Sequence, residues 1–205
     1  TSVVNFRAVM ARVHRVIADI EPHDSIERYT GLGVEVLQGH ARLLDPWTVE
    51  ITRHDGTKQQ LTTRSVVIAA GASPSVPPLP GIENSGYLTS DTLWDVLAGQ
   101  DAPPQRLVVL GGGPIGCELA QAFARLGSQV TQIEMLPRIL MREDTDVAEP
   151  TRRALERDGV TVLCEHRAVR FERQAAAGFI VVEHQGVEQQ IGFDHLICAC
   201  LLYTF

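Results

Sequence analysis

The 205-residue chain could form one large domain or two small ones, and its 44% hydrophobic content is ample for a core. A formal net charge of −7 argues against nucleic acid or anionic membrane surfaces as main partners. No apolar run approaches the roughly 20 residues of a membrane span, and the opening Thr1-Ser2-Val3-Val4-Asn5-Phe6-Arg7 lacks a signal peptide's apolar core, so a cytoplasmic location is the default expectation.

Residues 3–20 read as an amphipathic helix, with Phe6, Val9, Met10, Val13, Val16 and Ile17 on one side and Arg7, Arg12 and Arg15 mostly away from it. The segment Glu21-Pro22-His23-Asp24 ends it. A β-rich region follows. Residues 33–37 and 40–44 read as short strands around Gly39, and residues 47–51 alternate. His54-Asp55-Gly56-Thr57 is a hairpin turn signal, after which residues 61–63 pair back. Both His23 and His54 are read as turn residues. Residues 65–70 have the continuous apolar character of a buried parallel strand, ending in Gly71-Ala72-Ser73-Pro74. Pro77-Pro78-Leu79-Pro80-Gly81 then suits a stiff extended crossing between domains. Thr89-Ser90-Asp91 is expected to cap a short helix carrying Leu93, Trp94 and Leu97.

The next stretch is the most informative. Leu107-Val108-Val109-Leu110 suits a strand buried on both faces of a parallel sheet. Gly111, Gly113 and Gly116 follow in the spacing G-x-G-x-x-G, ahead of a helical pattern that buries Ile115, Leu119, Phe123 and Leu126. In this fingerprint Gly111 allows the tight turn, Gly113 lets a pyrophosphate approach the backbone, and Gly116 lets helix and strand pack closely. Pro114 suits the first helical position, with φ pre-set and no amide hydrogen to leave unpaired. Gly127 is the stop. Gly111, Gly112, Gly113, Pro114, Ile115 and Gly116 are therefore the candidate pyrophosphate-binding residues, at the positive end of a helix.

Glu134 ends the following strand, near the roughly 20-residue spacing at which the fingerprint places an acid for the adenosine ribose. A carboxylate there accepts both ribose hydroxyls and repels a 2′-phosphate, which favours NAD over NADP. Arg138, in the loop beyond, is either a phosphate contact or a surface arginine. Asp146-Val147-Ala148-Glu149 reads as a capping box opening a helix to Arg157, with Pro150 tolerated near the first turn. Residues 160–163 resume the sheet, and three strand-like runs, 168–173, 178–183 and 187–192, precede another buried strand at 195–199. Cys117, Cys164, Cys198 and Cys200 lack zinc-ligand spacing and read as structural thiols.

The order of these motifs resembles the flavin-dependent pyridine nucleotide–disulfide oxidoreductases, the family of dihydrolipoamide dehydrogenase, glutathione reductase and mercuric reductase, over nearly the whole chain. Ile68-Ala69-Ala70-Gly71-Ala72-Ser73-Pro74 is similar to the family's second FAD motif, A-T-G-x-x-P, with Ala70 where threonine is common. Gly39-His40-Ala41 lies where the family's backbone meets the FAD adenine. Residues 89–91 and 111–123 look most like the mercuric reductase branch. The resemblance implies FAD contacts at Ala41, Ala70 and Gly71. It also implies that Glu118 helps position the nicotinamide for hydride transfer; the alternative is an acid in the first helical turn, stabilised by the helix dipole.

The fold expected is α/β: an incomplete FAD-binding domain over residues 1–85, a Rossmann-like NAD(H)-binding domain with an antiparallel hairpin or meander over 86–199, and an aberrant or truncated tail at 200–205. The family's first G-x-G-x-x-G, its C-x-x-x-x-C redox pair and its dimerisation domain are not found in the sequence, so the chain reads as an internal piece of a homodimeric parent enzyme and is expected to be inactive alone. The implied reaction passes hydride from NADH to FAD and then to a disulfide, Hg(II) or similar acceptor. A non-catalytic NAD(H)-binding module and an NADH oxidase or quinone reductase are the rival expectations.

Overall fold

A computed structural model of the chain describes residues 4–174 and 177–200. Val3, at the expected start of the first helix, and the tail at 201–205 lie outside the described residues. In chain order the elements are α1 (Phe6–Ile20), a 3-10 turn (Glu21–Asp24), α2 (Ile26–Gly31), β1 (His40–Asp45), β2 (Thr48–Thr52) and β3 (Lys58–Thr62). A second 3-10 turn (Ile82–Asn84), α3 (Leu93–Ala98), β4 (Arg106–Leu110), α4 (Pro114–Leu126), β5 (Gln129–Ile133) and α5 (Thr145–Arg157) follow. The chain closes with β6 (Thr161–Leu163), β7 (Arg167–Gln174), β8 (Ala177–His184), β9 (Val187–Phe193) and β10 (His195–Cys198), making a mixed α/β protein. Among the described residues no helix is long and apolar enough to cross a membrane.

The chain divides into two compact units: Arg15–Ala72, and the described residues of Thr1–His14 with Ser73–Phe205. The division falls at 72/73 rather than 85/86, and the opening of α1 joins the larger unit. Packing explains both differences. Phe6 and Met10 are buried in one cluster with Leu93, Leu97 and Phe123, while Val76, Leu79 and Ile82 pack in the cluster of Phe171 and Phe193. The second half of the expected apolar stripe is not buried: Val16 and Ile17 are exposed.

In the larger unit a parallel sheet has the order β10-β4-β5-β6. The apolar run of β4 works as a strand buried on both faces should. Leu107 and Val109 join a cluster with Leu119, Phe123, Val130 and Leu155. Val108 and Leu110 join the other, with Ile133, Phe171, Ile180, Val182 and Leu196. Helices α4 and α5 supply side chains to the first cluster, and the antiparallel β7-β8-β9 meander supplies them to the second. The meander is thus a covering layer for the sheet. At the sheet's amino end the Arg106 guanidinium grips Asp194 at 2.6 Å, and the Arg106 amide donates to the same carboxylate at 2.9 Å, tying β4 to the start of β10.

The smaller unit is an antiparallel β1-β2-β3 meander preceded by α2, whose first turn is capped by the Ser25 hydroxyl. The expected hairpin turn forms, with Gly56 at φ +81 and the Thr57 amide donating to Asp55. Two expected strands do not form. Residues 33–37 and 65–70 belong to no ladder, and Val67 and Ile68 are 87% and 76% exposed. An apolar run becomes a strand only where a neighbouring strand takes its amides and carbonyls, and among the described residues no strand pairs with either run.

Two helix starts also differ. Thr92, rather than Thr89, is the N-cap of α3; Thr89 instead receives the Asp91 amide in the preceding turn. Asp144 is the N-cap of α5, and Glu149 is engaged by Arg152 and Arg153 rather than closing a capping box. Pro150 lies inside α5, beyond its first turn, where its missing N–H costs one helical hydrogen bond on an exposed face.

Truncating Phe6, fully buried beside Phe123 at a ring separation of 6.4 Å, should test the assignment of the opening of α1 to the larger unit. Phe6→Ala is expected to cost about 3–5 kcal/mol of its stability in urea denaturation. A loss below about 1 kcal/mol would place the helix outside that core.

Candidate dinucleotide site

Strand β4 is the point at which the sheet changes direction. From it the chain steps through α4 to β5 and through α5 to β6 on one side, while β10 lies parallel on the other. In open α/β sheets the crevice outside the carboxyl ends at such a point is where ligands bind. The glycine turn occupies this position.

The four glycines of the turn answer to different constraints. Gly111 sits at φ +118, its amide donates to the Ile133 carbonyl at 2.8 Å, and a Cβ there would lie 2.8 Å from the Ala199 carbonyl oxygen. Gly116 has no room at all: its Cβ would come within 2.2 Å of the Gly111 carbonyl oxygen. Gly112 donates its amide to Glu134 Oε2 at 2.7 Å and accepts from the Leu140 amide at 2.7 Å, and a Cβ would strike the Glu134 side chain.

Gly113 is unlike these. It is the N-cap of α4 at φ −75 and ψ 179, a conformation open to any residue, and nothing lies within 4 Å of where its Cβ would be. The fold therefore does not require glycine here. What glycine provides is clear space beside the start of α4. Pro114 is the first helical residue, and the Ile115 and Gly116 amides that follow have no carbonyl four residues back within the helix. Gly127 ends α4 in the left-handed region at φ +111.

Glu134 immediately follows β5 and is half-buried. Besides holding Gly112, its carboxylate accepts from the Leu136 amide at 2.8 Å through Oε1. Each carboxylate oxygen thus takes one amide and keeps acceptor capacity for another donor. Arg138 turns inward onto its own loop, donating to the carbonyls of Leu140, Met141 and Glu143 at 2.7, 3.1 and 2.8 Å. Glu118 is exposed on α4 as its fifth residue, so the first helical turn contains no acid. Ala41, in β1, and Ala70 and Gly71, in the loop beyond β3, are exposed in the smaller unit; Gly71 is at φ +69 with nothing within 4 Å of a Cβ.

Gln132 is the residue that sequence reasoning missed. Fully buried in β5, it donates Nε2 to the Gly111 carbonyl at 3.1 Å and lies 3.5 Å from Cys117 Sγ. The available signal was its place two residues after Val130, on the same buried face of β5. The four cysteines are free thiols, and burial is the largest influence on each. It raises Cys117 and Cys164 above the usual thiol range and pushes Cys198 and Cys200 up to about 12 and about 11. They remain protonated near neutral pH and are poor nucleophiles.

The family model for pyridine nucleotide-disulphide oxidoreductases matches residues 4–200. The chain is 29% identical to a mercuric reductase of Lysinibacillus sphaericus over 196 residues, covering 96% of the chain and 34% of the relative. It is 33% identical to a dihydrolipoyl dehydrogenase of Thermus scotoductus over 174 residues, covering 82% of the chain and 35% of the relative. It therefore spans about a third of the length of these relatives. Among solved structures, the HOCl-induced flavoprotein disulfide reductase RclA from Escherichia coli superposes with a TM-score of 0.74 at 26% identity, over 96% of this chain and 43% of that one.

The contrast between two glycines yields a stability test. Gly116→Ala is expected to lose about 2 kcal/mol or more through overpacking. Gly113→Ala should stay within about 1 kcal/mol of the parent, because its conformation and surroundings accept a methyl group. Equal losses in urea denaturation would contradict this division of roles.

Proposed function

We propose that this chain, which belongs to the pyridine nucleotide-disulphide oxidoreductase family, holds NAD(H) within a flavin-dependent oxidoreductase that passes hydride from NADH to FAD and on to a disulfide, Hg(II) or comparable acceptor. The observation that carries this reading is the clear space at Gly113, in a turn whose other glycines are required by the fold itself. A pyrophosphate approaching there meets the Ile115 and Gly116 amides and the positive end of α4.

Glu134 supports the same assignment. Its two amide bonds orient the carboxylate and leave acceptor capacity for the two adenosine ribose hydroxyls. A 2′-phosphate would meet its negative charge, so NADH is the preferred cofactor. Glu118, one helical turn beyond Pro114, orients the nicotinamide in this reading. Arg138 acts through its loop, since its guanidinium is already committed to three carbonyls. Ala41, Ala70 and Gly71 supply accessible backbone for FAD, the last with room for close approach. FAD, when bound, supplies the hydride-accepting centre; the chain supplies binding and orientation.

A second reading, a non-catalytic NAD(H)-binding module, is favoured by the thiols. None of the four has the lowered pKa of a redox nucleophile.

Titration of the purified chain with NADH and NADPH tests the assignment. Gly113→Val should weaken NADH binding by about tenfold or more without a matching fall in melting temperature, and Glu134→Arg should shift preference towards NADPH. Unchanged affinity in the first and unchanged preference in the second would contradict the proposed roles. Saturable uptake of added FAD, followed by bleaching of its visible band on adding NADH, would favour the catalytic reading; uptake without bleaching would favour the binding module.

A further inference from the structure

Three consecutive residues, the last two of β5 and Glu134 after them, hold three consecutive polar groups of the glycine turn. The Ile133 carbonyl receives the Gly111 amide at 2.8 Å, Gln132 Nε2 donates to the Gly111 carbonyl at 3.1 Å, and Glu134 Oε2 receives the Gly112 amide at 2.7 Å. The Gly111 carbonyl and the Gly112 amide belong to one planar peptide unit. Gln132 and Glu134 therefore grip the two poles of a single rigid plane.

Gln132 is fully buried, on the face of β5 that also carries Val130. Its Nε2 also donates to Cys117 Sγ at 3.5 Å, and that thiol donates to the Gly112 carbonyl at 3.6 Å. A Cβ at position 116 would lie 3.2 Å from Nε2, so the carboxamide sits directly against the start of α4. Burying an amide costs more than burying a hydrocarbon of the same size, and Gln132 Oε1 has no hydrogen-bond partner among the described residues. Packing alone is better served by an apolar side chain. What the amide adds is control of the peptide plane.

We infer that Gln132 is a positioning residue for dinucleotide binding, an inference that rests on the NAD(H) assignment. Buried beneath the turn, it acts through Gly111 and Gly112 rather than by touching the cofactor. A planar peptide turns as a unit, so removing the donor to the Gly111 carbonyl frees the plane to rotate and draws the Gly112 amide off Glu134. On one side that rotation moves Gly113 and the start of α4, where the pyrophosphate is held. On the other it releases the carboxylate that takes the ribose hydroxyls. Gln132 thus couples the two contacts that the adenosine diphosphate half of the cofactor makes with the chain.

The test is titration with NADH of the unaltered full chain, of Gln132→Met, which keeps the length and the burial but has no donor, and of Val130→Ala, a core truncation on the same face of β5. Each is assayed well below its melting temperature, with the Gly112 amide followed by NMR. In Gln132→Met the affinity should fall about tenfold, and in the ligand-free variant the Gly112 amide proton should move upfield and exchange faster as its bond to Glu134 loosens. Val130→Ala should keep both the affinity and the Gly112 resonance despite its lost packing. In the unaltered chain NADH should shift the Gln132 carboxamide protons together with the Gly113 and Gly116 amides, a readout that does not depend on how the variants fold. No NADH binding by the unaltered chain would overturn the cofactor assignment and this inference with it. Binding by the unaltered chain accompanied by equal affinity in Gln132→Met, an unmoved Gly112 amide, an equal loss in Val130→Ala, or an unshifted Gln132 carboxamide would overturn the role of Gln132 alone.

Discussion

The Gly111 carbonyl stands where four elements of the larger unit converge. It ends the exit from β4, receives the Gln132 amide from β5, and lies so close to the start of α4 that residue 116 cannot carry a Cβ. On the other side of the same residue, the Ala199 carbonyl beyond β10 leaves no room for a Cβ at position 111. These contacts fix how the helix leaves the sheet. Because β4 is buried on both faces, its exit cannot shift without disturbing the helix-side and meander-side cores together.

The loop after β5 completes the arrangement. Both polar backbone groups of Gly112 are taken by it, through Glu134 and Leu140, and Arg138 secures the loop by three carbonyl bonds. The acid proposed for the ribose is therefore also part of what shapes the glycine turn. Gly113 remains as the position where the fold leaves open space, beside the helix terminus whose dipole favours an anion. Rigid surroundings and one accessible backbone segment are what a pre-formed phosphate cradle needs.

Much of this was legible in the sequence because its signals are local. The run 107–110 announces its two buried faces, Pro114 and Gly127 bracket α4, and Gly56 marks its hairpin. The same logic failed for residues 33–37 and 65–70, whose apolar character says nothing about whether a pairing strand is present. The cap of α5 was misplaced because Asp144 and Asp146 are both suitable by type, and only the chain direction chooses between them. The inward turn of Arg138, the double duty of Glu134 and the burial of Gln132 arise from contacts between separate loops and strands. Spacing alone does not encode them. The split of α1 between units is similar in kind: its apolar stripe continues past His14, but burial in the larger core does not.

Backbone hydrogen exchange resolved to individual amides, measured with and without saturating NADH, tests the central claim most directly. The account predicts that NADH slows exchange at Gly113, Ile115 and Gly116, because those amides gain phosphate oxygens as partners. Protection confined instead to the groove around Gly81, Asn84 and Arg173, at a distance in sequence from the glycine turn, would contradict it.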